Sequence, residues 1–248
     1  MSFKDHFSGH ARGYAEARPT YPPALFAWLA SLAPRRALAW DAGCGNGQAA
    51  VALAAHFDAV FATDPSAPQV DNAVAHPKVR YAVEPAETST LAAASVDLVS
   101  VAQAYHWLDH ARFAEEVRRV AAPGAVVATY GYDVMRIAPA VDAAIAELYD
   151  GMLGTDWPPE RRHIDAHYAT LPFPFEPIAW QPHAMAHDWT LAEVIAYLGT
   201  WSAVQRHRKR TGTDPLVRAG AAIGRVWGDP DARRRVEWPL FGRVGRVA

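Results

Sequence analysis

The chain carries the stretch Asp41-Ala42-Gly43-Cys44-Gly45-Asn46-Gly47-Gln48 directly after the apolar residues 37–40. An apolar run that enters a glycine-rich turn is typical of a buried strand leading into a helix. Because glycine lacks a Cβ atom, the backbone here can adopt positive φ angles and approach a flat ligand closely. The stretch therefore predicts a nucleotide-like ligand after the first strand, with a tight turn that binds nothing as the structural alternative.

The kind of nucleotide follows from what this turn lacks. A dinucleotide-binding turn has the pattern Gly-x-Gly-x-x-Gly, and its third glycine position is Gln48 here. A phosphate-binding P-loop needs a lysine followed by Ser or Thr, and no lysine follows Gly47. The turn therefore favours a ligand without phosphates.

Two carboxylates accompany the turn. Asp41 closes the first strand, where a carboxylate is better placed to bind an amine or a sulfonium than a phosphate. Asp64 ends the second predicted strand, and an acidic residue there can accept hydrogen bonds from both ribose hydroxyls. An adenosine without phosphates that carries a cationic amino-acid arm is S-adenosyl-L-methionine, whose product after methyl transfer is S-adenosyl-L-homocysteine.

Several blocks in fixed order carry a family resemblance, and they are residues 41–48, 62–66, 85–87, 96–107, 119–120 and 123–124. Together they resemble the class I S-adenosylmethionine-dependent methyltransferases with a type 11 domain, specifically the branch typified by trans-aconitate methyltransferase. Residues 7–22 and 200–205 also look like that branch. One departure is visible, because many relatives carry Leu-Pro-Phe after the acidic residue of the third block, whereas residues 88–91 here are Thr-Ser-Thr-Leu.

The resemblance and the carboxylate argument together imply a set of cofactor-binding residues. The set is Tyr14, Arg18, Asp41, Ala42, Gly43, Gly45, Gln48, Asp64, Pro65, Ala86, Glu87, Gln103 and Ala104. Several members have structural alternatives: Asp64 as a helix N-cap, Glu87 as a solvated loop carboxylate, and Gln103 as a cap of the next helix. Tyr14 and Arg18 are alternatively part of a leader held down by aromatic contacts.

The chemistry of methyl transfer suggests residues for catalysis and acceptor binding. His106 follows the fourth strand and titrates near neutral pH, which makes it the candidate catalytic residue, with packing against Trp107 as the alternative. Trp107, Trp201 and Arg206 are candidate substrate residues, although a basic run such as 206–210 is usually a solvated helix end. Transfer to a carboxylate needs little acid–base help, so we expect O-methylation of a carboxylate or hydroxyl.

Apolar and amphipathic segments alternate along the chain, which is typical of a parallel sheet wrapped on both faces. Predicted strands cover residues 37–41, 59–63, 79–83, 96–101, 125–130, 175–186 and 236–241. Predicted helices cover 22–32, 47–56, 67–75, 107–120, 139–153 and 191–210, with a rigid loop at 157–174. Pro239 predicts that the last strand lies at the sheet edge, since proline cannot donate on both sides.

These segments and the resemblance predict an α/β, Rossmann-like, seven-stranded and mostly parallel sheet whose last strand is antiparallel. We expect a single domain over residues 1–248. Its parts are a leader and helix over the cofactor (1–35), a cofactor-binding core (36–133), helical lid insertions for the substrate (134–174 and 187–232) and closing strands (175–186 and 233–248).

Composition limits the partners. The net charge of −2, from 24 basic and 26 acidic residues, gives no overall attraction for nucleic acid. The apolar stretch at 24–33 is too short to span a bilayer, and the first residues lack a secretory signal. Cys44 is the single cysteine, which fits a reducing compartment. We expect a cytoplasmic monomer or homodimer that binds a small molecule, not nucleic acid or membrane.

Several sites and functions are disfavoured by the sequence. The eleven histidines lack metal-ligand spacing, so no metal site is expected. DNA is disfavoured as an acceptor because residues 103–106 read Gln-Ala-Tyr-His instead of the Asn/Asp-Pro-Pro-aromatic motif of nucleic-acid amino-methyltransferases. Two alternatives to a methyltransferase remain. One is a protein that binds S-adenosylmethionine without turnover, and the other is a nicotinamide-dependent oxidoreductase, which the missing third glycine disfavours.

Overall fold

An eight-stranded sheet organises residues 19–247, which are the residues that the computed structural model describes. The strands are β1 (Leu38–Ala42), β2 (Ala59–Asp64), β3 (Val79–Val83), β4 (Val96–Ala102), β5 (Ala121–Tyr132), β6 (Glu176–Ile178), β7 (His183–Trp189) and β8 (Arg234–Arg246). Their spatial order is β3-β2-β1-β4-β5-β8-β6, with β7 also paired to β8. Strands β1 to β5 are parallel, and β8 is antiparallel to β5, β6 and β7. The predicted fold class is confirmed.

Helices cover both faces of the sheet. Neighbouring residues of each strand point to opposite sides, so both faces carry side chains against which helices pack. They are α1 (Pro23–Leu32), α2 (Gln48–Leu53), α3 (Ala67–Asp71), α4 (His110–Val120), α5 (Pro139–Ala146), α6 (Arg161–Asp165), α7 (Leu191–Gly199), α8 (Ser202–Thr211) and α9 (Pro215–Trp227). On β1, Ala39 joins the core that contains α1, whereas Trp40 joins the core that contains Phe113 of α4. The two faces therefore carry separate hydrophobic cores.

Some predicted boundaries are wrong. The helix expected from residue 107 begins at His110, because Asp109 accepts a hydrogen bond from the Arg112 backbone and caps it. The segment 157–174, expected to be a loop, contains α6. The strand expected at 175–186 is divided into β6 and β7, and between them Trp180 packs so tightly against Gly242 that a Cβ there would collide with the indole.

The predicted edge position of the last strand is also wrong, since β8 lies between β5 and the β6 and β7 pair. Proline is tolerated there because the ladder with β5 ends at the Tyr132–Leu240 pair. Pro239 comes one residue beyond that pair, and its carbonyl still accepts a hydrogen bond of 3.0 Å from the Asp133 backbone. The missing N–H therefore falls just past the end of the ladder.

The glycine-rich turn between β1 and α2 has the backbone conformation that its sequence predicts. Gly43, Gly45 and Gly47 have φ angles of 72°, 53° and 85°, a region that favours glycine. At Gly43 a Cβ would lie 2.7 Å from the Cβ of Ala104, the residue that follows β4 by two positions. Gly43 therefore allows the loops after β1 and β4 to touch.

We expect Gly43→Ala to destabilise the protein more than Gly212→Ala does. Both glycines have nearly the same φ (72° and 71°), but no heavy atom lies within 4 Å of a Cβ built at Gly212. The free energy of unfolding of Gly212→Ala should therefore fall only by the cost of a Cβ in the left-handed backbone region, about 1–2 kcal/mol. In Gly43→Ala the collision with Ala104 should lower it further. Urea unfolding measures both, and adding Ala104→Gly should recover the excess; equal losses for the two variants would contradict the crowding argument.

Candidate active site

The carboxyl ends of the parallel strands bring several predicted site residues to one edge of the sheet. Asp41 lies near the end of β1, Asp64 ends β2, and Gln103 directly follows β4. β1 is the central strand of this group, because it pairs with both β2 and β4. In open α/β sheets this edge is where ligands bind.

Asp41 is a completely buried carboxylate. Neither of its oxygens has a hydrogen-bond partner among the described residues. Burial raises the pKa of Asp41 to about 7, and the nearby Ser100 hydroxyl and Ala50 backbone N–H offset only part of that effect. Because a buried carboxylate without a partner is unfavourable, this position is suited to a positively charged ligand group.

Asp64 fastens the glycine-rich turn to β2. One carboxylate oxygen accepts a hydrogen bond of 2.9 Å from the Gly45 backbone, and the other accepts one of 2.9 Å from the Ser66 backbone. The N-cap of α3 is Ser66, so the alternative that Asp64 caps that helix is wrong. Pro65 is exposed beside it, and Gln48 is the first residue of α2.

Gln103 lies in a strained backbone conformation, with a φ of 53° that is unusual for a residue other than glycine. Its backbone N–H donates to the Tyr130 carbonyl, while its buried side-chain oxygen has no partner among the described residues. The side chain lies against Gly131, where a Cβ would collide with it. The alternative of a helix cap is wrong, because Asp109 caps the following helix.

The loop after β3 is held in place by polar contacts from α4. Glu87 accepts a hydrogen bond of 2.8 Å from the Asp109 backbone, so it is more than a solvated carboxylate. Ser89, in the segment that departs from the family pattern, donates to Glu116 through its backbone and its hydroxyl at 2.7 and 2.6 Å. These bonds and Arg119 hold the pKa of Glu116 at about 2 despite the opposing effect of burial. Ala86 is buried within this loop.

His106 is buried beside Tyr168. It belongs to the 3-10 turn Tyr105–Trp107, its side chain is only 9% exposed, and its Nδ1 lies 3.2 Å from the hydroxyl of Tyr168. Burial lowers the pKa of His106 to about 3, with further lowering by the positive charge of Arg161. The expectation that His106 titrates near neutral pH is therefore wrong. Its ring also lies beside Trp107, at 4.8 Å between centroids.

Tyr21 connects the surroundings of His106 to those of Asp41. The pKa of Tyr21 is raised, first by burial and then by neighbours that include Tyr168 and Asp41. Tyr168 in turn contacts His106, and its ring stacks on the imidazole. His106 and Asp41 therefore belong to the same edge of the sheet.

Residues 161–175 form a strap over this edge. His167 and Tyr168 follow α6 with φ angles of 50° and 60°, although neither is glycine. Arg243 of β8 donates to the carbonyls of Tyr168 and Leu171 at 3.2 and 2.6 Å, and His167 contacts Asp133 at 2.8 Å. No local pattern in the sequence predicts this strap, because its turn contains no glycine and its partners are distant in the chain.

The two late substrate candidates lie in an aromatic region. Trp201 is buried at the start of α8, with ring centroids 5.7 Å from Tyr149 and 5.5 Å from Trp157. Arg206 lies on α8 with one terminal nitrogen 3.4 Å from the carbonyl of Asp156.

Within the rest of the basic run, Arg210 and His207 contact a buried carboxylate, whereas Lys209 is exposed, as expected of a solvated helix end. Arg210 donates twice to the buried Asp156 carboxylate, at 2.8 and 2.7 Å, and His207 contacts the same carboxylate at 2.9 Å. The hydrogen bonds from Arg210, followed by that from His207, hold the pKa of Asp156 at about 2. The run therefore anchors α8 to Asp156.

Two open surface depressions lie away from this edge. One of about 490 Å³ is at the amino ends of the strands, beside Leu38, Ala59 and Val79, and one of about 280 Å³ lies beside Arg136. We locate the candidate site by its buried polar groups instead, because the predicted site residues line neither depression. Within residues 19–247 no cluster of three or more His, Cys, Asp or Glu side chains is arranged to hold a metal ion. None of the helices there has the length and apolar character needed to cross a membrane.

The geometry of the edge fits S-adenosylmethionine. The unpartnered oxygens of Asp41 suit its ammonium or sulfonium group, and the positive φ angles at Gly43 and Gly45 leave room for a flat group close to the backbone. Tyr14 and Arg18 lie outside the described residues. Cys44 has a raised thiol pKa because of burial, which agrees with assigning it no chemistry.

Comparisons with known proteins identify the family. The family described as methyltransferase domain matches residues 40–129. A Dictyostelium discoideum protein provisionally named methyltransferase is 32% identical over 96% of this chain and 94% of its own length. An uncharacterized methyltransferase from Mycobacterium tuberculosis is 40% identical over 48% of each chain. 

A solved structure agrees with these relatives. It is that of an Anaeromyxobacter dehalogenans protein provisionally named type II methyltransferase, and it is 50% identical to this chain with a TM-score of 0.89. The match covers 93% of this chain and 98% of that one. Together with the order of the strands, these findings show that the chain belongs to the class I S-adenosylmethionine-dependent methyltransferases.

Proposed function

We propose that this methyltransferase transfers its methyl group to a carboxylate oxygen of a small acidic molecule. One observation carries the proposal: His106, the candidate base on this edge, is buried against Tyr168, and burial lowers the pKa of its imidazole to about 3. A group that is such a weak base does not remove a proton from a hydroxyl or an ammonium at neutral pH. A carboxylate needs no deprotonation, because it is already an anion at that pH.

We propose roles for the cofactor-binding residues on the same basis. Asp41 pairs with the ammonium group, and Asp64, which also fastens the glycine-rich turn, accepts hydrogen bonds from the ribose. The remaining members line the cofactor through their backbones or small side chains. They are Ala42, Gly43, Gly45, Gln48, Pro65, Ala86, Glu87, Gln103 and Ala104, and we propose Tyr14 and Arg18 as further cofactor-binding residues.

Bound S-adenosylmethionine supplies a methyl group on a positively charged sulfur. A carboxylate oxygen attacks the methyl carbon in line, so the O–C bond forms as the C–S bond breaks and the neutral sulfur leaves with S-adenosylhomocysteine. The chain itself contributes position and the exclusion of water. His106 and Tyr168 are buried against each other, so the imidazole is held in one orientation. With its Nδ1 facing the hydroxyl of Tyr168, the neutral ring directs Nε2 toward the acceptor as a hydrogen-bonding group without taking a proton.

We base the family branch, the domain parts, the location and the oligomeric state on the sequence. The ordered blocks at residues 41–48, 96–107 and 200–205 support placement in the trans-aconitate branch, whose resemblance also favours an acidic acceptor. We also propose a single domain with residues 134–174 and 187–232 as lid insertions, a cytoplasmic location, and a monomer or homodimer. A protein that binds the cofactor without turnover is the competing function, and it predicts binding but no methyl loss with any acceptor.

We expect Asp41→Asn to weaken S-adenosylhomocysteine binding while it stabilises the free protein. Loss of a charged hydrogen bond costs about 1.5–3 kcal/mol, so the Kd should rise by one to two orders of magnitude in calorimetric titration. In the absence of ligand, a neutral amide at this buried site is less unfavourable than an unpaired carboxylate.

The pH dependence of this effect has a defined sign. The folded pKa of Asp41 is raised from 3.8 to about 7, so the stability of the wild-type protein should fall relative to Asp41→Asn as pH rises through this window. Thermal unfolding at several pH values measures it. A variant that is less stable than wild type at every pH and binds S-adenosylhomocysteine equally well would contradict the assigned role.

We expect His106→Gln to lower kcat for a carboxylate acceptor by less than tenfold. Removal of a true general base costs about 10²–10⁴-fold. With saturating cofactor, the wild-type rate should also stay level between about pH 6 and 9, where a hydroxyl acceptor activated by a base would show a rise. Tyr168→Phe is the matched control, because it removes only the hydroxyl that contacts His106. A loss of 10²-fold or more in His106→Gln would favour a hydroxyl acceptor.

A further inference from the structure

Arg161 is held in an unusual setting at the start of α6. Its guanidinium lies 5.0 Å from the ring centroid of Trp157 and 5.3 Å from that of Tyr149. Both rings also contact Trp201. The side chain is only 18% exposed, so most of this cation is removed from solvent.

Only one nitrogen of this guanidinium is engaged by the protein. Nε donates to the hydroxyl of Tyr149 at 2.6 Å and lies 3.3 Å from a carboxylate oxygen of Asp165. The terminal nitrogens Nη1 and Nη2 have no hydrogen-bond partner among the described residues. The two terminal nitrogens therefore present four N–H donors that are available to a ligand.

Neighbouring arginines differ in this respect. Arg243 donates twice to backbone carbonyls of the strap, and Arg210 donates twice to the carboxylate of Asp156. Arg206, the arginine that the sequence suggested for the acceptor, points one terminal nitrogen at the Asp156 carbonyl. Arg243 and Arg210 are thus engaged in structural contacts, Arg206 makes a single contact of 3.4 Å, and neither terminal nitrogen of Arg161 has a partner among the described residues.

Arg161 lies in the neighbourhood of His106 and Tyr168. Helix α6 packs against the 3-10 turn that carries His106. The charge of Arg161 acts on both His106 and Tyr168, lowering the pKa of the imidazole and opposing the rise in the pKa of the phenol. Trp157 and Tyr149 restrict the rotation of the guanidinium, so its free edge is pre-oriented.

We infer that Arg161 binds an oxyanion of the methyl acceptor through Nη1 and Nη2 and is the residue that selects acidic acceptors. This inference rests on the proposed function, because it places the acceptor beside His106. The planar fork of arginine matches the two oxygens of a carboxylate, and a phosphate monoester shares enough of this chemistry to compete. The bound oxyanion is not the one that receives the methyl group, since a guanidinium-bound oxygen is a weaker nucleophile.

The test compares Arg161→Gln, Arg161→Lys and Arg162→Gln with the wild-type protein. Arg162 is the matched control, because it lies next in the same helix, carries the same charge and is exposed. Each protein is saturated with S-adenosylhomocysteine and titrated with aliphatic dicarboxylates of graded length, with their monoamides and with alkyl phosphates. Transfer of labelled methyl from S-adenosylmethionine to the same probes gives KM and kcat.

We expect the wild type and Arg162→Gln to bind at least one dicarboxylate, and Arg161→Gln to bind it tenfold or more weakly with S-adenosylhomocysteine affinity unchanged. The loss should appear in KM rather than kcat, and Arg161→Lys should recover part of it. The monoamide keeps one carboxylate, so it should also bind the wild type more tightly than Arg161→Gln, but it should be methylated more slowly than the dicarboxylate. Preference for alkyl phosphates with the same dependence on Arg161 would assign the oxyanion as a phosphate.

Three results would overturn the inference. They are equal binding by Arg161→Gln and wild type, an equal loss in Arg162→Gln, and no binding of any anionic probe by the S-adenosylhomocysteine-loaded wild type. Failure of the proposed function is distinguishable, because it appears as probes that bind in an Arg161-dependent manner but are never methylated. A Tm of Arg161→Gln close to that of wild type separates loss of binding from loss of folding.

Discussion

The carboxylate of Asp41 is buried without a hydrogen-bond partner, and the rest of the site is arranged around this unfavourable group. Its position is fixed by β1, which pairs with β2 on one side and β4 on the other. The carboxylate therefore cannot move to solvent without disrupting the centre of the sheet. Burial shifts its pKa toward neutrality, so the free protein stores an unfavourable interaction that a cationic ligand relieves.

The cofactor half of this molecule could be predicted from the sequence because its determinants are local. A glycine-rich turn directly after an apolar strand specifies both the strand end and the positive φ angles that Gly43, Gly45 and Gly47 adopt. The alternation of strands and helices specifies the parallel sheet, and a parallel sheet places Asp41, Asp64 and Gln103 at one edge. In each of these steps, residues close together in the chain determine the result.

The surroundings of His106 could not be predicted in the same way. The pKa of His106 depends on burial beside Tyr168 and on the charge of Arg161, and both residues come from a segment that reads as a loop. Nothing in the sequence marks the left-handed turn at His167 and Tyr168, since such turns usually contain glycine. Pro239 suggested an edge strand because the sequence does not show where the ladder of β5 ends.

The division of the outer strand into β6 and β7 has a consequence for contacts between molecules. A long, regular edge strand presents unpaired backbone groups to which another chain can add. Here the outer edge consists of a three-residue strand with Pro177 at its centre, then a break at residues 179–182, then β7. No continuous row of donors and acceptors is offered on this side of the sheet. The same interruption that accommodates Trp180 therefore protects this edge of the sheet against pairing with another chain.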